Sequence, residues 1–354
     1  MLKVLGKNYK TIWLDPVDSR KVKIIDQRLL PHEFKVRVLE SIEDVNDAIS
    51  QMAVRGAPLI GATAGWGVYL ASVEALEKDL DFDFVYKKSL QLIDSRPTAI
   101  NLKWAVSRMI SKFELSNNLY ELAENLKKEA QAICDEDEKS SIKIGQSGLD
   151  IIRDLSYKKS GATVNILTHC NAGWLAAVDF GTATAPIYAA RDAGIDLHVW
   201  VDETRPRNQG SNLTAWELDN EGIKHTVIVD NAGGHLMQNG EVDLCIVGSD
   251  RTTRSGDVCN KIGTYLKALA AKDNNIPFYV ALPESTFDWS IDDGISEIPI
   301  EKRDENEIAF ISGKNGNEIC EVRVTPQNSK CLNIAFDVTP YNLITGFITP
   351  RGCM

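Results

Sequence analysis

Three short apolar runs in the second half of the sequence each end in a cluster of polar side chains. The first run ends in Thr168–Asn171, the second in Asp202–Pro206 and the third in Gly248–Arg251. In an open parallel sheet, ligands bind at the carboxyl ends of the strands. If the three runs are neighbouring strands, their polar ends meet at one edge of the sheet. The sequence therefore predicts a functional site in the second half of the chain.

Cys170 has the position of an acid–base group or a nucleophile. It lies between the end of a predicted strand and a glycine-containing turn that leads toward a helix. Backbone N–H groups and a helix N-terminus would lower the pKa of a thiol there. The alternative is a thiol that packs as a small buried apolar side chain. His169 would point to the opposite face if the strand continues, so a Cys170–His169 pair is not expected.

Asp250 follows another apolar run and is a candidate proton donor or acceptor. A carboxyl group that faces a partly dry cleft has a raised pKa and can exchange protons near neutral pH. The alternative is a helix N-cap or an ion pair with Arg251 or Arg254.

Several features of the sequence suggest a bound anion. Gly56, in the turn Arg55–Pro58, lets the backbone approach a ligand, and the N–H groups of the helix that follows can hold an anion. Arg96 is a second guanidinium at a helix entrance. Lys261 is predicted to begin a helix, where a cation opposes the helix dipole unless an anion is nearby. The alternatives are solvated or capping side chains for the two arginines, and turn and cap chemistry for Asn260.

Composition excludes several classes of function. The 354 residues include 39 Lys and Arg against 50 Asp and Glu, for a net charge of −11. An acidic chain without a basic cluster repels nucleic acid. The seven cysteines are scattered, with no C-x-x-C pair, which is typical of reduced intracellular thiols. The sequence also lacks a phosphate-binding loop, a convincing dinucleotide fingerprint and an H-x-x-x-H metal pair.

We also expect no membrane segment. The most apolar stretch, residues 57–71, is too short and too rich in glycine to span a bilayer. The first ten residues lack the apolar region of a signal peptide. These features predict a cytoplasmic protein.

The pattern of the chain predicts two domains with an α/β fold. Short alternating runs separated by turn residues predict a small antiparallel sheet in the first forty residues. Helical patterns follow, with Ser41 as an N-cap and Pro58 in a first turn. The predicted helices run over residues 58–76, 100–115, 119–134 and 140–155. After residue 161, apolar runs alternate with helical segments, which predicts a doubly wound, Rossmann-like parallel sheet. We place the boundary at the acidic stretch 135–138, giving domains 1–136 and 137–354.

The motifs resemble those of the S-methyl-5-thioribose-1-phosphate isomerase family of methionine salvage. Its superfamily also contains ribose-1,5-bisphosphate isomerases and regulatory subunits of a translation initiation exchange factor. The matching segments follow the family order through nearly the whole chain: Arg55–Gly61, Ser95–Leu102, Thr168–Gly173, Glu203–Gly210, Leu213–Leu218, Gly248–Arg251, Gly256–Tyr265, Pro283–Asp288, Phe336–Pro340 and Ile348–Gly352.

The resemblance implies a fold, a site and a partner. It implies a mostly helical N-terminal domain with a small sheet, a Rossmann-like domain and a homodimer, with no cofactor and no metal. The implied catalytic pair is Cys170 and Asp250. The substrate-binding residues implied by the matching motifs are Arg55, Gly56, Ala57, Arg96, Gln209, Asn260 and Lys261.

The implied substrate is an aldose whose C1 phosphate locks the ring, so the enzyme must open the ring and move hydrogen from C2 to C1. We assign Asp250 as the general acid for ring opening and Cys170 as the partner for hydrogen transfer. The sequence does not distinguish a proton route from a hydride shift. The phosphate is held by basic and amide groups. Two stretches, 252–255 and 283–284, depart from the family pattern at the expected rim of the site.

Two other functions remain open at this point. The first is isomerisation of ribose 1,5-bisphosphate or of 5-deoxyribose 1-phosphate, which differ from the methylthio sugar at C5. An apolar pocket for the methylthio group could come from Trp13, Trp66 or Trp174, or these side chains are simply core. The second is a non-catalytic regulatory subunit, which the presence of both Cys170 and Asp250 argues against.

Overall fold

The first half of the chain consists of five helices with small antiparallel sheets at their edge. The computed structural model describes residues 3–4, 6–96 and 99–354, so Pro97 and Thr98 of the Ser95–Leu102 motif lie outside the described residues. The strands are β1 (Lys3–Val4), β2 (Lys7–Asn8), β3 (Ile12–Leu14), β4 (Val22–Ile25) and β5 (Val36–Leu39). The helices are α1 (Ile42–Ser50), α2 (Ala57–Glu77), α3 (Phe82–Ile93), α4 (Ile100–Ile110) and α5 (Leu119–Lys158).

The predicted sheet and the predicted helix starts near the N-terminus are confirmed. β3, β4 and β5 pair antiparallel in that order. The Ser41 side chain accepts a hydrogen bond from the backbone N–H of Asp44, and the Asp44 side chain accepts one from the N–H of Ser41. This reciprocal arrangement is a capping box, which satisfies donors that a helix start leaves free.

Helix α2 is the centre of the first-half core. Its 21 residues are long and apolar enough to cross a membrane, but 83% of its most apolar window is buried inside the fold. The apolar stretch 57–71 is thus the first part of a longer helix, and its burial identifies α2 as a core helix. Its small residues admit close neighbours: a Cβ on Gly61 would lie 3.1 Å from the backbone oxygen of Asn101 in α4.

Helix α5 corrects one prediction. A single helix of 40 residues replaces the two helices predicted over 119–134 and 140–155. The acidic stretch between them resembles a linker but contains no Gly or Pro, so nothing in it ends a helix. The predicted boundary at residue 136 lies inside this helix, and the division of the chain there stays a prediction.

The second half of the chain is built from short strands and helices. Its strands are β6 (Val164–Thr168), β7 (Leu197–Asp202), β8 (His225–Ile228), β9 (Leu244–Val247), β10 (Arg251–Thr253), β11 (Val258–Lys261), β12 (Phe278–Ala281), β13 (Phe287–Asp288), β14 (Lys302–Arg303), β15 (Phe310–Asn315), β16 (Glu318–Arg323), β17 (Asn333–Ile334), β18 (Phe336–Thr339), β19 (Gly346–Thr349) and β20 (Gly352–Cys353). Its helices are α6 (Ala185–Asp192), α7 (Ala215–Asn220), α8 (Ala232–Gln238), α9 (Thr264–Asp273), α10 (Gly294–Glu297) and α11 (Asn306–Ala309).

A seven-stranded sheet forms the frame of this half, which confirms the predicted fold class. The strand order is β20-β19-β12-β9-β6-β7-β8, and all neighbours are parallel except β19 and β20. The chain starts at β6, proceeds to β7 and β8 on one side, and then crosses back to β9 on the other. The connections leaving β6 and β9 therefore diverge, and such a switch point is where open α/β sheets form a binding crevice.

A second sheet, which the sequence did not reveal, supports the loop after β9. Its order is β13-β10-β11-β18. Lys261 is the last residue of β11, and α9 begins only at Thr264, so the prediction that Lys261 begins a helix was wrong. All four residues of β11 are buried. Because these residues mix polar and apolar types, the sequence pattern does not predict a strand that is covered on both faces.

Asp137 in the middle of α5 ties this helix to the second half. Its Oδ2 accepts a hydrogen bond of 2.7 Å from the backbone N–H of Val178. Burial raises the pKa of Asp137 to about 7, and the nearby carboxylates of Asp179 and Glu138 add to this shift. The acidic stretch that suggested a linker thus contains a structural contact.

The variant Asp137→Asn should change how stability depends on pH. Because the folded-state pKa lies above the ordinary value of 3.8, the folded chain keeps a proton at Asp137 that the unfolded chain has released. The wild type therefore loses stability at this group as pH rises from about 4 to about 7, by at most about 1.4 kcal/mol per pH unit. The amide oxygen of the variant still accepts from Val178, but the variant does not lose stability at this position as pH rises.

Urea unfolding of both proteins at several pH values measures the effect. The free energy of unfolding of the variant, relative to the wild type, should increase over this pH range by about 1 kcal/mol or more. Asp154→Asn, an exposed site on the same helix, is the control and should show no such trend. A constant difference between Asp137→Asn and wild type would contradict the assignment.

Candidate active site

Cys170 lies at the switch point, directly after β6, in a backbone conformation that few residues adopt. Its φ is +65°, in the left-handed region that is costly for a side chain with a Cβ. Both of its backbone groups are held in place. Its N–H donates to Thr204 Oγ1 at 2.8 Å, and its carbonyl accepts from Thr214 Oγ1 at 2.6 Å. These contacts hold the strained residue in one orientation, as is common at functional sites.

The thiol of Cys170 is buried and protonated. Its Sγ lies 3.4 Å from Gln209 Oε1, an acceptor, so the thiol donates. Burial raises the pKa of Cys170, and the cations of Arg55 and Lys261 offset this only in part. The predicted lowering of this pKa was wrong, because no α-helix begins at the turn after Cys170 and loss of hydration outweighs the neighbouring charges.

Asp250 follows β9 on the other side of the switch point. Burial raises the pKa of its carboxyl group, opposed by the cations of Lys261, Arg96 and Arg55, so the direction predicted from the sequence is confirmed. The two arginines considered as its ion-pair partners form ion pairs with other carboxylates. Arg251 pairs with Asp288 at 3.7 Å, and Arg254 pairs with Asp292.

Arg55 is connected to the second half of the chain through Asn171. The Arg55 guanidinium donates from Nη1 to the side-chain oxygen of Asn171 and from Nη2 to its backbone oxygen. The amide nitrogen of Asn171 in turn donates to Glu217 Oε1 at 2.8 Å. Arg55 and Asn171 are both at least nine-tenths buried, so this connection is shielded from solvent.

Glu217 anchors the loop that follows Cys170. This carboxylate has no exposed surface. Besides Asn171, it accepts hydrogen bonds from the N–H groups of Trp174 and Leu175 and from the Tyr188 hydroxyl, at 2.8–2.9 Å. Glu217 was not predicted as a site residue, because the sequence of a helical segment does not distinguish a fully buried carboxylate from an exposed one.

The start of α2 faces the same site. Gly56 has a φ of +89°, and a Cβ there would lie 2.5 Å from Ala176 Cβ. Only glycine fits both the conformation and the contact. Ala57 is the first helical residue, so free N–H groups at the helix start point out of the end of a long buried helix, which suits an anion.

Arg96, Asn260 and Lys261 are all more than nine-tenths buried. Lys261 Nζ donates to the Ala335 carbonyl at 3.0 Å and lies 4.5 Å from the centre of the Phe336 ring. The Nε of Arg96 is 3.4 Å from Glu301 Oε2, and its Nη1 has no hydrogen-bond partner among the described residues. Burial lowers the pKa of both cations, so both gain from an additional anion.

One cavity brings most of the predicted residues together. Its walls include Arg55, Gly56, Ala57, Cys170, Asp250 and Asn260. A neighbouring cavity shares Arg55 with it and is lined by Gln209. Arg96 and Lys261 do not line the cavity but lie close enough to act on the charge of Asp250.

The tryptophans suggested as an apolar pocket do not line these cavities. Trp66 and Trp174 are fully buried in the two cores, and Trp13 packs against Tyr9. The rim stretch that departs from the family pattern, Pro283 and Glu284, instead borders a larger open cleft with Trp104 and Trp289. Pro283 also lines the site cavity, so this cleft continues into it.

Comparison with known proteins gives consistent results. Residues 53–354 match the model of the Initiation factor 2 subunit family. A methylthioribose-1-phosphate isomerase from Desulfatibacillum aliphaticivorans is 54% identical over 99% of this chain and 95% of its own length. The enzyme of the same name from Paramagnetospirillum magneticum is 57% identical over the same shares of the two chains.

Solved structures resemble the whole chain as well. The crystal structure of 5-methylthioribose 1-phosphate isomerase from Pyrococcus horikoshii has a TM-score of 0.82 at 38% identity, covering 98% of this chain and 93% of that one. The translation initiation factor eIF-2B, subunit delta, from A. fulgidus has a TM-score of 0.77 at 36% identity, covering 98% and 96%.

Proposed function

Because this chain belongs to the Initiation factor 2 subunit family, with methylthioribose-1-phosphate isomerases as near-full-length relatives, we propose that Cys170 and Asp250 are the catalytic pair of such an isomerase. The chain is an aldose–ketose isomerase of methionine salvage, which converts S-methyl-5-thio-α-D-ribose 1-phosphate into S-methyl-5-thio-D-ribulose 1-phosphate. The observation that carries the proposed mechanism is the shared cavity, which is lined by a thiol and a carboxyl group with raised pKa values and by Arg55, while Arg96 and Lys261 lie near Asp250 outside the lining.

Ring opening requires an acid, and Asp250 is available in its protonated form. The raised pKa of Asp250 keeps a proton on the carboxyl group above the pH at which a free aspartic acid loses it. Asp250 delivers this proton to the ring oxygen as the bond between that oxygen and C1 breaks. The electron-deficient C1 that results still carries the phosphate, and Asp250 is left as a carboxylate.

Hydrogen transfer then uses both groups. The Asp250 carboxylate removes the proton from C2, which leaves an enol phosphate with a C1–C2 double bond. The Cys170 thiol donates its proton to C1, and the thiolate takes the proton from the hydroxyl on C2 as the ketone forms. Both side chains end the cycle protonated, as they began, so the reaction needs no further reactant.

The phosphate supplies the anion that the cations behind the cavity lack. Substrate binding uses Arg55, Gly56, Ala57, Arg96, Gln209, Asn260 and Lys261. The phosphate dianion accepts from the N–H groups at the start of α2 and balances the buried charges of Arg96 and Lys261. Gln209, which accepts from the Cys170 thiol, keeps that thiol oriented toward the substrate. This arrangement holds the reacting carbons between the two acids.

The other two functions receive less support. A regulatory subunit has no need for a buried thiol and a buried acid facing one cavity, and the described residues include both. A second phosphate at C5 would need further unpaired cations. Arg28 and Arg207, in the neighbouring cavity, already pair with Asp26 and Glu307.

The variants Cys170→Ala and Asp250→Asn should each lose turnover of methylthioribose 1-phosphate, measured by NMR of the product ketose. Each removes a proton that the reaction must move, and such groups contribute about 10²- to 10⁴-fold to the rate. Asp250→Asn should also remain folded, because the amide removes a buried acid from the cavity. Cys353→Ala, an exposed thiol, is the control and should retain wild-type turnover. Near-normal turnover of either active-site variant would rule out the proposed pair.

The isomerase works in the cytoplasm as a homodimer that binds neither nucleic acid nor membranes. Its seven cysteines are free thiols, which suits a reducing compartment. Helix α9 exposes three apolar side chains, Tyr265, Leu266 and Leu269, which support a contact with a second copy.

Sedimentation of the purified chain should give twice the 39.2 kDa of one chain. Leu266→Lys should dissociate the dimer, because it places a charge in the apolar contact. Leu115→Lys, at an exposed leucine in the first half, should not. A wild-type mass of one chain would contradict the dimer, and a dimeric Leu266→Lys would exclude α9 as its contact.

A further inference from the structure

His169 lies between two hydrogen-bond acceptors and is not paired with Cys170. Its Nδ1 is 2.7 Å from Asp202 Oδ2, and its Nε2 is 2.8 Å from the carbonyl oxygen of Ile262. The ring is buried, with 1% of the residue exposed. A neutral imidazole has one N–H donor and one acceptor nitrogen, whereas an imidazolium has two donors. When Asp202 is ionised, both partners accept, and the two contacts then place a proton on each ring nitrogen.

The surroundings favour an ionised Asp202 and hence a positive ring. Lys267 Nζ lies 3.1 Å from the same Oδ2 atom and also donates to the backbone oxygen of Asp230. The Asp230 carboxylate accepts from the N–H groups of Thr204 and Arg205. The Asp337 carboxylate accepts from the N–H groups of Gly263 and Tyr265. Asp202, Asp230 and Asp337 thus face two cations, His169 and Lys267.

The same groups do not form a metal site. His169, Asp202 and Asp230 each offer an atom within 4.8 Å of the others, but the Lys267 ammonium contacts Asp202 Oδ2 and the backbone oxygen of Asp230 and so takes the place of a cation.

The imidazolium connects the two parts of the proposed active site. His169 is bonded along the chain to Cys170, and its acceptor Ile262 is bonded to Lys261. Gly263 lies against the ring, where a Cβ would be 3.1 Å from His169 Cε1. Loss of one proton from the ring would leave a lone pair facing either the Ile262 carbonyl or the Asp202 carboxylate, and one of the two hydrogen bonds would break.

We infer that His169 is a positioning residue, held as an imidazolium between Asp202 and the Ile262 carbonyl, that fixes the Asn260–Lys261 segment against Cys170. This role rests on the proposed function of Cys170 and Lys261. His169 transfers no proton to substrate. Its positive charge keeps two acceptors in place, so that the phosphate-binding segment and the reactive thiol keep a constant separation.

NMR of the wild-type chain labelled with ¹⁵N-histidine tests the protonation state directly. The sequence has five histidines, and single replacements of the other four, His32, His198, His225 and His235, assign the His169 signals without altering the site. Both ring nitrogens of His169 should show the signature of protonated nitrogens at pH 8, because each faces a hydrogen-bond acceptor. A neutral tautomer at pH 8 would overturn the inference, whatever the enzyme activity.

Steady-state kinetics test the positioning role. His169→Gln keeps at most one of the two hydrogen bonds, so the KM for methylthioribose 1-phosphate should rise by about ten- to a hundredfold, with a smaller fall in kcat than in Cys170→Ala. In Asp202→Asn, which lacks the anionic acceptor, the His169 signals should change to those of a neutral ring at a lower pH than in the wild type. His198→Gln, an exchange outside the site, is the matched control.

The outcomes separate this inference from the proposed function. An unchanged KM in folded His169→Gln would overturn the positioning role and leave the isomerase activity intact. If His169 is an imidazolium at pH 8 but the Cys170→Ala variant turns over normally, the charge of His169 is confirmed. The positioning role is then overturned, because it rests on the proposed function of Cys170. If His169→Gln does not fold, the wild-type titration and Asp202→Asn still decide the protonation state.

Discussion

The cost of burying ionisable groups governs this site. Cys170 and Asp250 line one cavity, and the loss of hydration raises the pKa of each even though Arg55 and Lys261 lie nearby. The same burial lowers the pKa of Arg96 and Lys261. The site therefore holds two acids whose pKa values are raised and two cations whose pKa values are lowered. In the proposed function, a sugar phosphate supplies negative charge to these cations, and Asp250 provides the acid that opens the phosphate-locked ring.

The position of the cavity depends on a continuous connection between the two halves of the chain. Glu217, fully buried, orients Asn171, and Asn171 holds the guanidinium of Arg55 at the entrance to α2. Gly56 then packs so closely on Ala176 that no larger residue fits. The helix start that suits an anion is thus fixed relative to the strand end that carries the thiol. On the opposite side, His169 connects that strand end to the segment of Lys261.

Sequence patterns predicted the elements that carry the site better than the contacts between them. Alternating apolar runs and turn residues identified the parallel strands, and the polar residues after β6 and β9 placed Cys170 and Asp250 at one edge. The four-stranded sheet was missed because β11 is covered on both faces and mixes residue types. The continuous helix α5 was missed because an acidic run resembles a linker. The pKa of Cys170 was predicted in the wrong direction, because sequence shows neighbouring N–H groups but not the degree of burial. Glu217 gave no signal, because its burial depends on four donors from distant parts of the chain.

The central claim is that two protonated side chains exchange protons with the substrate, and isomerisation in D₂O tests it most directly. In D₂O the Cys170 thiol carries deuterium, so proton NMR of the product ketose should show deuterium at C1 after a single turnover. A direct hydride shift from C2 would carry the original hydrogen to C1 instead. A product with only protium at C1 would contradict the account, while the cavity and its cations would still define where the sugar phosphate binds.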